Sequence, residues 1–86
     1  MSDDARAVRL RRLRMRSWRR GTREMDLILG GYADEALDGL EPAGLDGFEA
    51  LLAEDDHDLY RWIAGAAGAP ADHAEIVERI RTRLRA

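Results

Sequence analysis

The 86-residue chain has no cysteine, no lysine and only two prolines. Without cysteine there is no disulfide staple, zinc–thiolate site or thiol nucleophile, and a reducing compartment is the natural setting. β-Branched residues are few and no Asn-Gly turn occurs, so sheet structure has little local support. No apolar run approaches the roughly 20 residues of a membrane span. The N-terminal stretch is interrupted by arginine throughout, which argues against a secretory signal. Residues 5–20 are Arg-rich and acid-free, as in an organelle transit peptide, but Asp3 and Asp4 precede them and a strongly patterned segment follows directly. They are expected to belong to the mature protein. A chain of this size supports one small domain, spanning residues 1–86, and is short for an enzyme with a deep active site of its own.

What is present is a marked charge polarity beneath a formal net charge of -3. Residues 1–23 carry nine arginines against Asp3 and Asp4, a balance of +7. Residues 24–60 carry twelve carboxylates and no arginine or lysine, and residues 61–86 return to +2. Such asymmetry speaks to partners and orientation rather than to fold. The exclusive use of arginine is explained as readily by a GC-rich genome as by a need for guanidinium chemistry.

Helical signals recur along the chain. Residues 3–18 are rich in Ala, Arg, Leu and Met, with Ser2 or Asp3 as a cap. Their apolar positions form two stripes, Leu10 with Leu13, and Val8 with Met15 and Trp18. A second helix should begin near Thr22, with Met25, Ile28, Leu29, Tyr32, Ala36 and Leu37 on one face. Gly30-Gly31 weakens it by about 1 kcal/mol per glycine relative to alanine, which predicts a kink or an early end. Glu41-Pro42 opens a third helix with Leu45, Phe48, Leu51 and Leu52 inward. Asp55 or Asp56 caps a fourth, carrying Leu59, Trp62 and Ile63 and stopped by Gly65, Gly68 and Pro70. Asp72 with Glu75 resembles a capping box for a fifth, with Ile76, Val77, Ile80 and Leu84 inward. The expected fold is all-α, a compact bundle of about five short helices.

The segment "RSWRRGTREMD" (residues 16–26) poses the functional question. Gly21 suits a left-handed residue ending the first helix. Arg16, Arg19 and Arg20 then face that helix's negative C-terminal end, while Glu24 and Asp26 lie in the positive first turn of the next. Complementary charge at two helix ends explains much of the pattern but not why arginines continue back to Arg6. A surplus of charge on an ordinary bundle points to a binding surface.

These residues also carry a resemblance. "RSWRRGTREMDLIL" resembles the Arg-Gly-x-x-Glu region of the small succinate dehydrogenase assembly factors, the flavinylation factors of the SdhE type. "LLAEDDHDLYRWI" at 51–63 resembles the same family's second signature. The likeness runs from about Arg9 to Arg83, with Gly30-Gly31 as one departure. It implies a helper that binds the flavoprotein subunit of succinate dehydrogenase, and in bacteria that of fumarate reductase. Such a helper promotes covalent attachment of FAD to a histidine of that subunit. The implied partner-binding residues are Arg16, Arg19, Arg20, Gly21, Glu24, Asp26, Asp56, Asp58 and Tyr60, with Leu59 and Trp62 in the second block. No catalytic or metal-binding residue is implied, and FAD resides on the partner. The free chain is then expected to be a monomer of the bacterial cytoplasm, without nucleic acid and without membrane insertion.

Rival readings attach to the same residues. The Arg-rich first helix fits a small nucleic-acid-binding or antitoxin-like regulatory protein, although the rest of the chain is acidic and no known reader motif is present. "EDDHD" (residues 54–58) has oxygen and imidazole donors for a metal, yet aspartate at a helix N-terminus is the commoner cause of such a run. His73, in a first helical turn, is expected to be a solvated surface residue. Trp62 reads as core, and Trp18, among arginines, as core or interface anchor in equal measure. An independent enzyme is disfavoured because no nucleophile–base constellation is present.

Overall fold

The computed structural model describes residues 2–85, with side chains from Asp4 to Arg85. The cap expected of Ser2 or Asp3 rests on side chains outside that description. Among the described residues there are five α-helices and no strand: α1 (Ser2–Ser17), α2 (Arg23–Ala36), α3 (Pro42–Leu52), α4 (Asp56–Ala64) and α5 (Ala71–Arg85), with a 3-10 turn at Leu37–Gly39 after α2. The chain forms two compact units, one running to Gly39 and one from Leu40 onward.

In the first unit α1 packs against α2 and the 3-10 turn. Of the two stripes on α1, the one containing Leu13 is inward. Leu13 is fully buried and Leu10 half-buried, whereas Val8 and Met15 are 53% and 45% exposed. Ser17 is also buried, and its hydroxyl donates to the Leu13 carbonyl at 2.7 Å, satisfying a polar group that would otherwise be costly inside. α2 buries Met25, Leu29, Tyr32 and Ala33, with Ile28 and Ala36 half-buried, and Leu37 continues that face. Arg14 ties the helices together, 3.7 Å from Asp34 and 2.8 Å from Asp38, and Arg6 donates to the Asp38 carbonyl at 2.9 Å.

The early end expected at Gly30-Gly31 does not occur, and α2 runs through both glycines. The reason lies across the unit. A Cβ on residue 30 would overlap the fused-ring carbons of Trp18, so the indole occupies the space a side chain would need. Packing over the glycine replaces what the helix loses in propensity.

The second unit is built on α5, which packs against α3 and α4. Glu41 is the N-cap of α3, with Pro42 in its first turn. Asp55 caps α4 by accepting the His57 N–H at 2.9 Å. Gly65 ends α4 at φ +83°, the left-handed conformation that glycine adopts without strain. Leu45, Phe48, Leu51, Leu52, Leu59, Ile63, Ile76, Val77 and Ile80 are buried, and Trp62 is half-buried.

Two expectations about α5 are corrected. It begins at Ala71, so Asp72 lies inside the first turn rather than at the cap a capping box requires; the His73 N–H bonds the Pro70 carbonyl instead, at 2.9 Å. Leu84 is 45% exposed, because the inward face ends one turn earlier at Ile80. Towards that end, a hydrogen bond from Arg85 at 3.0 Å, aided by Arg81, holds the exposed Glu78 carboxyl below the usual carboxylate range.

Candidate functional site

The segment singled out by charge forms the connection between α1 and α2. α1 ends at Ser17 and α2 begins at Arg23, leaving residues 18–22 to reverse the chain. Gly21 takes φ +107°, as a glycine in a tight reversal can. It does so within this connection, four residues beyond the end of α1, rather than as that helix's C-cap. A Cβ on Gly21 would meet nothing within 4 Å, so the requirement is purely one of backbone conformation.

Two side chains at the start of α2, Thr22 before its first residue and Asp26 within it, hold the turn. Thr22 is the N-cap, its hydroxyl accepting the Met25 N–H at 3.2 Å. Asp26, half-buried one turn into α2, accepts the backbone N–H of Arg20 at 2.6 Å. A charge-assisted bond of that length pins the backbone immediately before Gly21. Asp26 thus has an internal positioning role. The Trp18 indole braces the other side, lying over Gly30 and donating from Nε1 to Asp34 at 3.3 Å.

With the backbone so held, Arg19, Gly21 and Glu24 are exposed and Arg20 and Arg16 are half-buried. Glu24 stands in the first turn of α2, where the helix dipole favours its carboxylate, and Arg16 in the last turn of α1. The structure therefore gathers Arg19, Arg20, Gly21, Glu24 and Asp26 around one turn, with Arg16 on the adjoining helix. An open groove of about 630 Å³ beside the turn has Trp18, Arg19, Gly21, Thr22, Arg23, Asp26 and Leu27 as its walls.

Asp56, Asp58 and Tyr60 lie on α4, in the second unit. Asp56 and Asp58 are half-buried in its first turn, and Tyr60 is exposed. In the "EDDHD" run, Asp55 serves as the helix cap and His57 is exposed. Among the described residues, no three His, Asp or Glu side chains converge as a metal site requires.

One residue departs from its expected place. His73 is buried rather than solvated. Its Nε2 lies 2.8 Å from Glu54, and its ring is tilted 33° to Trp62 with centroids 5.8 Å apart. The pair joins the α3–α4 connection to the first turn of α5. Local sequence carried no sign of this, because Glu54 and Trp62 reach His73 only through the packing of the second unit.

The chain is thus a small all-helical protein that presents a braced, arginine-rich turn. The comparisons narrow the class. A family profile described as "Flavinator of succinate dehydrogenase" matches residues 11–84. The chain is 38% identical over 68 residues to a mitochondrial succinate dehydrogenase assembly factor 2 from Mycosarcoma maydis, covering 79% of this chain and 29% of that protein. It is 32% identical over 74 residues to FAD assembly factor SdhE from Acetobacter pasteurianus, covering 86% and 68% respectively. With the same-named protein from Photobacterium profundum it shares 39% identity over 64 residues, 72% of each chain. No solved structure matches significantly. The chain belongs to the succinate dehydrogenase flavinator family.

Proposed function

We propose that this protein is an assembly factor that binds the flavoprotein subunit of succinate dehydrogenase, and that of fumarate reductase where present. It promotes covalent attachment of FAD to a histidine of that subunit, working in the cytoplasm of a bacterial cell. Family membership carries this reading, and the turn around Gly21 supplies the contact surface.

The chemistry divides between the two proteins. Bond formation needs a nucleophilic imidazole, loss of a proton from the flavin 8-methyl group and stabilisation of a negative ring system, all centred on the partner. This chain contributes position. Arg19 and Arg20 dock acidic groups of the partner, Glu24 docks a basic one, and Asp26 and Thr22 keep the intervening backbone in one conformation. Holding two reacting groups in attack geometry lowers a barrier substantially without any proton transfer by the helper. Asp56, Asp58 and Tyr60 form a second contact on α4. The chain itself retains no FAD and is a monomer before it meets its partner.

The test is covalent flavin on the partner subunit, read as in-gel fluorescence after denaturation, in cells lacking their native factor. Restoration by this chain is expected. Its absence, with both proteins present and folded, would refute the assignment.

A further inference from the structure

α1 has a second face that runs up to the turn, where Arg19 and Arg20 line it as well. Val8, Arg12, Met15 and Arg19 follow one another at steps of four, three and four residues with Arg11 and Arg16 beside them, so they line a single strip, opposite the face that buries Leu13. The strip is an open groove of about 460 Å³. Val8 and Met15 lie two helical turns apart, about 10 Å, and both are about half exposed. Arg14, on the inward side, is committed to Asp34 and Asp38.

We propose that this groove docks an acidic segment of the flavoprotein subunit, one that sets two apolar side chains against Val8 and Met15 and its carboxylates against Arg11, Arg12 and Arg19. This rests on the reading that the chain binds that subunit, and it extends the contact from the turn along α1; Arg19 lines both grooves. The occupant follows from charge and shape. The strip is wholly cationic, so an acidic segment complements it and gains orientation and encounter rate from the match. Methionine and arginine are favoured interface residues, the one for its adaptable apolar surface, the other for bidentate carboxylate contacts. A nucleic acid would engage the arginines and leave Val8 and Met15 without a role. A lipid surface needs a broader apolar face than two separated side chains offer.

The experiment measures binding of the full chain to the purified flavoprotein subunit by calorimetry, comparing wild type with the double variant Val8→Ser/Met15→Ser and with Arg12→Glu. A loss of fivefold or more in affinity is expected for each, with unchanged melting temperature because all three side chains are on the surface. If wild type binds and the variants bind within fivefold of it, the groove proposal is overturned while the functional reading stands. If wild type does not bind the subunit at all, that reading fails and the proposal with it. Wild-type binding to duplex DNA or to phosphatidylserine vesicles that the double variant loses would also overturn the choice of occupant. Should a variant melt lower, a photo-crosslinking residue at position 12 of the otherwise native chain decides. Its adduct must map to an acidic segment of the subunit, and an adduct elsewhere, or none, overturns the proposal.

Discussion

Replacing Gly30 by alanine sets two well-known effects against each other. In a helix interior glycine is about 0.8–1 kcal/mol worse than alanine, so propensity alone predicts stabilisation. The structure predicts the opposite sign. A Cβ at residue 30 would lie 2.8 Å from Trp18 Cε3 and closer still to two neighbouring ring carbons. The indole is rigid and cannot yield locally, so it must leave its seat and give up its hydrogen bond to Asp34. Overpacking of this kind costs about 1–3 kcal/mol. The net expectation for Gly30→Ala is destabilisation by up to about 2 kcal/mol, or a fall in melting temperature of up to roughly 16 °C for a chain of this size. The decisive measurement is a double-mutant cycle with Trp18→Ala, followed by thermal or urea unfolding. Once the indole is gone the steric term vanishes, and Gly30→Ala should raise stability by about 0.8–1 kcal/mol, a reversal of sign. A Gly30→Ala variant that is more stable with Trp18 present, or a cycle without coupling, would show that the glycine does not seat the indole. Because Trp18 opens the turn, the single variant should also lower covalent flavin on the partner, even at temperatures where the chain remains folded.

Other expectations concern the turn and the core. Arg20→Ala and Glu24→Ala should alter stability by no more than about 1 kcal/mol yet abolish restoration of covalent flavin; full restoration by a folded Glu24→Ala chain would remove that carboxylate from the contact surface. Gly21→Ala should cost about 1–3 kcal/mol through backbone strain at φ +107° alone, since its methyl meets open space, and Gly21→Arg should add loss of docking to that strain. Phe48→Ala should cost about 3–5 kcal/mol, read by urea unfolding, because the ring is fully buried and its loss leaves a cavity. His73→Ala should cost about 1–3 kcal/mol through the lost bond to Glu54 and the lost Trp62 contact, where a solvated histidine would cost within about 0.5 kcal/mol.

The helices were legible because their signals are local. Thr22, Pro42, Asp55 and Gly65 act on backbone groups within a few residues, so the starts of α2, α3 and α4 and the end of α4 follow from neighbours in the chain. The positive φ of Gly21 was legible for the same reason, although α1 stops four residues before it. Which face of a helix turns inward is a different kind of question. α1 carried two apolar stripes of similar strength, and only its packing against α2 selected Leu13 and left Val8 and Met15 outside. Leu84 fell outside because the inward face of α5 ends at Ile80. The role of Gly30 depends on an indole twelve residues earlier, the clamp from Asp26 on a backbone amide across the turn, and the burial of His73 on Glu54 nineteen residues before it. Each of these is a contact between elements. Its energy exists only once the elements are side by side, so no reading of propensity, periodicity or charge along one helix contains it.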